Sequence, residues 1–270
     1  MYTNISTWTE LLQQFFPIFT APGFALFVRL MTGWVLCIRR RTVTGMIPFA
    51  DPLGWRAHDA YHRFLPDGRW ELSALWQILA RMLVSTFCRT GVIVLALDDT
   101  LFHRSGRKIE GAGYWRDAVR STQKHIVTAW GLNLVVLTLQ LQPCWGGEPL
   151  GLPINMRLHR KKGLTLIELA QQMINEVAEW FPERRFCVVG DGFYATLAGS
   201  ALEQTTIISR MRRDANLYDL PPKRKKKQRG RPRQRGQKLA KLEKMAAHIQ
   251  NWETVKIRQL GKIVKRQVFT

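Results

Sequence analysis

Acidic residues are scarce in this 270-residue chain: 20 Asp and Glu stand against 41 Lys and Arg, a formal net charge of +21. Ten of the positive charges lie between Lys223 and Lys238, and taking those ten from 21 leaves +11 on the rest. An excess this broad favours a polyanionic partner, because neutralising phosphates releases counterions. A merely Lys-rich soluble protein and an anionic-membrane binder are weaker readings. Cysteine is sparse and scattered: Cys37, Cys88, Cys144 and Cys187 form no C-x-x-C pair, which removes a zinc motif and a disulfide framework and makes a reducing cytosol the default. Nor is there an unbroken long apolar run. The stretch from Phe15 to Ile38 is interrupted by Pro17, Pro22, Gly23 and Gly33 and carries Arg29, so a buried helix with its approach is expected and no membrane span. Glu10 and polar residues precede that stretch, unlike the start of a signal peptide. Internal repeats, a Gly-rich phosphate loop, a nucleophile elbow and a Cys/His nucleophile pattern are all missing.

What is present is the composition of a folded protein, 46% apolar and 10% aromatic. Residues 1–88 suggest helices, with Ala21 to Cys37 and Leu72 to Cys88 apolar and short of breakers, joined by a loop-rich segment over 39–70 that contains the Asp51-Pro52 and Pro66-Asp67-Gly68 turn signals. From Gly91 the pattern changes. Val92 to Leu97 is a continuous apolar run ending in two acids, suited to a strand buried on both faces. Strands are expected near Ile126–Leu141 and Leu150–Met156, and a helix over Thr165–Trp180 from apolar residues at 166, 169, 170, 173, 177 and 180. A strand at Phe186–Val189, a short helix at Tyr194–Leu202 and a strand at Thr205–Met211 follow, then a basic loop and two strands at Glu253–Gln259 and Lys262–Phe269. Three strands in antiparallel succession followed by alternating helices and strands describe an α/β fold with a mixed sheet.

Asp99, with Asp98 beside it, and Asp191 each follow a buried apolar run. Ligands collect at the carboxyl ends of strands in open α/β sheets. If the two strands are parallel neighbours, about 4.8 Å apart, the carboxylates share a site. Two metal ions in such a site would activate a nucleophile and stabilise a leaving oxygen, and oxygen ligands select Mg²⁺ or Mn²⁺. The competing reading is structural: Asp-Asp-Thr as a cap and Asp191-Gly192 as a turn. His58 and His62 share a helix face without an evident third ligand and are read as surface or packing residues, while His103 and His125 flank the first acid and are assigned no role. Within 221–239, Arg229-Gly230-Arg231-Pro232-Arg233 matches the core of an AT-hook, an arm that lays arginines in the minor groove of A·T-rich DNA. A solvated loop touching phosphates without sequence preference remains the alternative. On either reading the DNA-contacting residues are Lys223, Arg224, Lys225, Lys226, Lys227, Arg229, Arg231, Arg233 and Arg235.

Leu95-Ala96-Leu97-Asp98-Asp99-Thr100, continued by Phe102-His103-Arg104-Ser105-Gly106-Arg107-Lys108, resembles the first-aspartate motif of bacterial insertion-sequence transposases with a DDE catalytic triad. Val188-Val189-Gly190-Asp191-Gly192-Phe193-Tyr194 resembles their second-aspartate motif, 92 residues further on, and Phe27 to Trp34 looks like part of the DNA-binding region before the core. The resemblance implies an RNase H-like mixed sheet with flanking helices (residues 89–212), preceded by a helical DNA-binding region (1–88) and followed by a basic linker and the start of a β-rich insertion (213–270). It implies that Asp99 and Asp191 are catalytic and hold Mg²⁺ or Mn²⁺, Asp99 being chosen over Asp98 because the family's residue immediately precedes the Thr. It further implies double-stranded DNA as partner, at the element's terminal inverted repeats and in the target, action as a homodimer, and a place in the bacterial cytoplasm with the nucleoid. The family's third acid lies in a Y-x2-R-x3-E-x6-K pattern that this sequence lacks. The expectation is therefore a chain cut off before its third acid and inactive, with a non-catalytic DNA-binding relic or regulator as the alternative and a general basic RNA-binding protein as a third reading.

Overall fold

The computed structural model describes residues 7–122, 124–200, 202–211, 215–223, 230–231, 233–259 and 262–268. The chain divides into two compact units, one of Met1–Gly91 with Ile154–Met156 and Glu176–Arg184, the other of Val92–Pro153, Arg157–Asn175 and Arg185–Thr270.

The first unit is built on helices α1 (Trp8–Gln13), α2 (Ala21–Leu36), α3 (Val43–Ala50), α4 (His58–Phe64) and α5 (Leu72–Phe87). Threonines start three of them. Thr7 closes a capping box with Glu10, and the Thr20 and Thr42 hydroxyls accept the N–H groups of Gly23 and Gly45. An aromatic cluster forms the core, with Phe19 stacked on Phe27 at 4.7 Å and packed near Phe64 and Trp70. Gly33 sits where α2 crosses α3, and a Cβ there would lie 2.9 Å from the Met46 carbonyl oxygen.

The expected loop over 39–70 in fact contains α3 and α4. Gly45 and Pro48 argue against a helix from propensity alone, but α3 is only eight residues long and its Met46 is buried. The turn after it is held by Asp51, which accepts the Trp55 and Arg56 N–H groups and the Tyr61 hydroxyl at 2.8 Å.

The main sheet has six strands: β1 (Ile93–His103), β2 (Gly113–Arg116), β3 (Thr128–Leu141), β4 (Leu150–His159), β5 (Phe186–Gly190) and β6 (Thr205–Ser209), in the order β2-β3-β1-β5-β6 with β4 also paired to β3. β1 and β2 run antiparallel to β3, whereas β1, β5 and β6 are parallel. Helix α6 (Leu166–Trp180) starts in a Thr165/Glu168 capping box and buries Leu169, Ala170, Met173, Ile174, Val177 and Trp180 along one stripe. This mixed sheet with flanking helices is the RNase H-like α/β layout expected from the sequence. The segment expected as a helix from Tyr194 is a short 3₁₀ turn, Tyr194–Gly199. Beyond the sheet, the short helix α7 (Leu242–His248) interrupts what the sequence suggested was loop, and β7 (Glu253–Gln259) pairs antiparallel with β8 (Lys262–Val268) as a separate ribbon.

Candidate active site

The register of β1 against β5 decides where the aspartates fall. The parallel pairing runs from Ile93↔Phe186 to Leu97↔Gly190, so Asp99 and Asp191 lie just past its last rung on neighbouring strands. β1 does not stop there, as the sequence suggested. It continues to His103, held on its other side by β3 through Asp99↔Val135 to His103↔Gly131. The alternation of the strand then separates the two neighbouring acids. Ile93, Leu95 and Leu97 point inward and are buried, Asp99 follows on that same face and is half-buried, and Asp98 is exposed on the other.

Burial raises the Asp99 pKa above the usual carboxylate range, and the charges of Asp98 and Asp191 push the same way, while hydrogen bonding from Asn133 and Tyr194 opposes them. The Tyr194 hydroxyl stands 3.4 Å from Asp99 Oδ1, and its own pKa is driven up by burial and by the Asp99 charge. Asp191 uses Oδ1 to accept the Phe193 N–H at 2.9 Å and the Tyr194 N–H at 3.4 Å, so it also performs the turn-capping role weighed for it from sequence. Accumulated negative charge beside a half-buried carboxylate is a situation that a divalent cation relieves, and an all-oxygen donor set suits Mg²⁺ or Mn²⁺. Two carboxylates fit such an ion without completing a cage, and among the described residues no group of three or more His, Cys, Asp or Glu forms a metal cluster.

Asn133 escaped the sequence reading. It occupies an inward position of β3 between buried Gly131 and Val135, and it is itself only 6% exposed. A polar residue in phase with a buried stripe was the available signal. His159, at the end of β4, is the second such residue: its Nδ1 lies 3.3 Å from Asn133 Nδ2.

His103 reaches the buried Asp117 at 3.0 Å. Asp117 also accepts the Val119 and Arg120 N–H groups, and the Arg120 backbone bond, with help from His103, holds its pKa below the usual range despite burial. The stability this carboxylate contributes is present above its ordinary pKa of 3.8 and is lost as pH falls through its depressed folded value. Asp117→Asn is therefore expected to lower Tm by a few degrees at pH 7 and by progressively less below pH 4. A deficit that stays constant in melts from pH 2 to 7 would contradict the assignment. The His58 and His62 rings lie 4.6 Å apart at a tilt of 35°, with His62 Nε2 3.2 Å from the Thr44 hydroxyl.

Of the basic segment, Lys223, Arg231, Arg233 and Arg235 are described; Arg224, Lys225, Lys226, Lys227 and Arg229 lie outside the described residues. The base of the segment is pinned. Leu239 N–H donates to Leu217 O and Asp219 N–H to Gln237 O, with Tyr218 bridged to Lys238 and the Arg235 guanidinium 5.1 Å from the Tyr218 ring centroid. Gly236 is required in that clasp, because a Cβ would stand 2.4 Å from the Leu220 carbonyl oxygen.

A mixed sheet of this order, with aspartates arriving from two neighbouring parallel strands, defines a class: RNase H-like proteins with an acidic site. The family model of the DDE superfamily endonuclease matches residues 14–266, and the chain belongs to that family. Membership supports a transposase-like nuclease function on DNA, in a superfamily that generally uses divalent metal ions. No curated protein matches the chain. Among the described residues no helix is long and apolar enough to cross a membrane.

Proposed function

We propose that this protein is a DNA transposase of the DDE type from a bacterial insertion sequence, with Asp99 and Asp191 as the two aspartates of the triad and a third acid that no Y-x2-R-x3-E-x6-K pattern of this sequence supplies. The observation that carries the proposal is the register that sets both carboxylates just past the end of the β1–β5 pairing, together with the like-charge pressure on Asp99. Asp99 and Asp191 hold Mg²⁺ or Mn²⁺, which when bound supplies Lewis acidity at the phosphate and acidifies the attacking water. Asn133 and Tyr194 hold the Asp99 carboxylate by hydrogen bonds, and the rest is positioning and charge neutralisation. Water adds to phosphorus as the P–O3′ bond breaks, leaving a 3′-hydroxyl on the element's end and a 5′-phosphate on the flanking strand. That hydroxyl then attacks a phosphate of the target DNA, whose own P–O3′ bond breaks to release a target 3′-hydroxyl. The substrates are the terminal inverted repeats and target duplex, the acting form is a homodimer, and the setting is the bacterial cytoplasm and nucleoid.

A second reading, a DNA-binding relic or regulator without catalysis, is favoured by one observation: no Y-x2-R-x3-E-x6-K pattern occurs in the sequence. The nucleotide sequence after codon 270 separates the two. That pattern encoded within roughly 50–150 codons, with Mg²⁺-dependent cleavage restored when it is joined to the chain, supports the transposase. Its absence from intact flanking DNA supports the relic. Vigorous cleavage by the 270-residue chain alone would contradict the need for that pattern.

The segment 221–239 acts as the DNA arm of this protein. Replacing Arg229 and Arg231 by Ala is expected to weaken binding to A·T-rich duplex about tenfold, the equivalent of ~1.4 kcal/mol, while G·C-rich duplex loses less. Equal loss on both would reduce the arm to non-specific phosphate contact.

A further inference from the structure

The inward face of the sheet carries a polar relay beside Asp99. Asn133 has two amide hydrogens, and its side chain is engaged with two neighbours: the Asp99 carboxylate and His159 Nδ1, the latter at 3.3 Å. An N–H directed at Nδ1 requires that nitrogen to accept, so the imidazole proton resides on Nε2. Burial pushes the His159 pKa below its ordinary value, with the Asp99 charge opposing, which favours the neutral ring at physiological pH. The ring is steadied by Trp115, whose centroid lies 4.7 Å away, and Lys161 Nζ stands 5.6 Å from the Trp115 ring. Nε2 has no hydrogen-bond partner among the described residues. An oriented, uncharged donor thus stands one hydrogen-bonded residue, Asn133, away from the Asp99 carboxylate.

We propose that His159 is a phosphate-binding residue of the site, its Nε2–H donating to a non-bridging oxygen of the DNA strand held at Asp99, with Asn133 as the positioning residue. This rests on the DDE reading of Asp99 and deepens it. A neutral donor carries a distinctive signature: it adds affinity without releasing counterions, so its removal leaves the salt dependence of binding unchanged. A lysine such as Lys161 adds both.

The test uses the 270-residue chain and a fluorescent 30-base-pair duplex, with affinity measured in Ca²⁺ and in EDTA across a salt series. His159→Phe, which keeps an aromatic ring but has no donor, is expected to lower the Ca²⁺-dependent affinity about tenfold with the log K against log salt slope unchanged. His159→Gln, which retains an N–H, is expected to recover part of the loss, and Lys161→Ala to reduce the slope by about one. Asn133→Leu is expected to weaken binding as His159→Phe does and to shift the imidazole ¹⁵N signals of His159 away from the Nε2–H tautomer. Wild-type affinity in His159→Phe, or a loss that comes with a lower Tm and no recovery in His159→Gln, would overturn the proposal while leaving Asp99 and Asp191 in place. A wild-type chain that binds duplex equally in Ca²⁺ and EDTA would remove the metal-site reading and this proposal with it.

Discussion

Asp99→Asn is expected to abolish the divalent-cation-dependent cleavage proposed for this protein, and at the same time to raise the thermal stability of the metal-free protein. The loss follows from removing an anionic ligand at the reacting phosphate. Several kcal/mol of transition-state charge stabilisation correspond to roughly 10³-fold in rate, at about 1.36 kcal/mol per tenfold. The gain follows from electrostatics. The folded state holds the Asp99 pKa above its ordinary 3.8, so ionisation costs stability progressively as pH rises from that value through the folded pKa, above which the penalty is full. The Asn variant lacks it. A Tm higher by roughly 2 °C at pH 7 without metal is expected, vanishing near pH 3, where both forms are neutral. A substitution that lowered Tm at pH 7 and left cleavage intact would assign Asp99 a structural role. Asp191→Asn shares the loss of cleavage and keeps an Oδ1 acceptor for the turn, whereas Asp191→Ala also removes the cap on the Phe193 and Tyr194 N–H groups, so its stability is expected to fall.

Gly131→Val is expected to be the most destabilising single change near the site. Gly131 is buried in β3 opposite His103, and a Cβ would stand 2.2 Å from the Phe102 carbonyl oxygen, so the far half of β1 cannot stay in register beside a larger residue. Overpacking of a closed core costs typically 1–3 kcal/mol and more when backbone must shift, equivalent to a Tm lower by about 5–10 °C in a domain of this size. Because β1 beyond Leu97 is paired, among the described residues, on this side only, the damage falls on the stretch that carries Asp99. Differential scanning calorimetry with duplex binding checks it. Unchanged melting would show that β1 and β3 accommodate a side chain there, and that the close approach does not fix the position of Asp99.

The parts of the fold legible in the sequence are those whose burial pattern repeats. β5 and the first half of β1 are legible as continuous apolar runs, but only one face of each is buried (Ile93, Leu95, Leu97, Phe186 and Val188). Val94 and Val189 are exposed, so the expected burial on both faces does not hold. α6 shows its stripe at helical spacing. The rest is set by tertiary contacts that no local pattern announces. β1 runs on past its acids because β3 continues beside it. β2 is four residues long and is defined by its rungs with β3. α3 forms around Gly45 and Pro48 because Met46 is buried and Thr42 caps its start. The site divides in the same way. The two aspartates could be picked out because each follows an apolar strand, whereas Asn133 and His159 are 26 residues apart and meet only through the sheet. Tyr194 was visible only as the end of a motif; its hydroxyl role appears once β5 and the following turn bring it under Asp99.

Asp99 and Asp191 are proposed to form a divalent-cation site together, and Mn²⁺ binding to the 270-residue chain decides whether they do. Titration followed by the electron paramagnetic resonance of free Mn²⁺, in the wild type and in the Asp99→Asn/Asp191→Asn variant, needs neither cleavage nor a known DNA sequence. The expected result is weak binding that is competed by Mg²⁺ in the wild type and absent in the double variant. Equal Mn²⁺ binding by the two proteins would contradict the claim and return both aspartates to the structural roles of strand and turn.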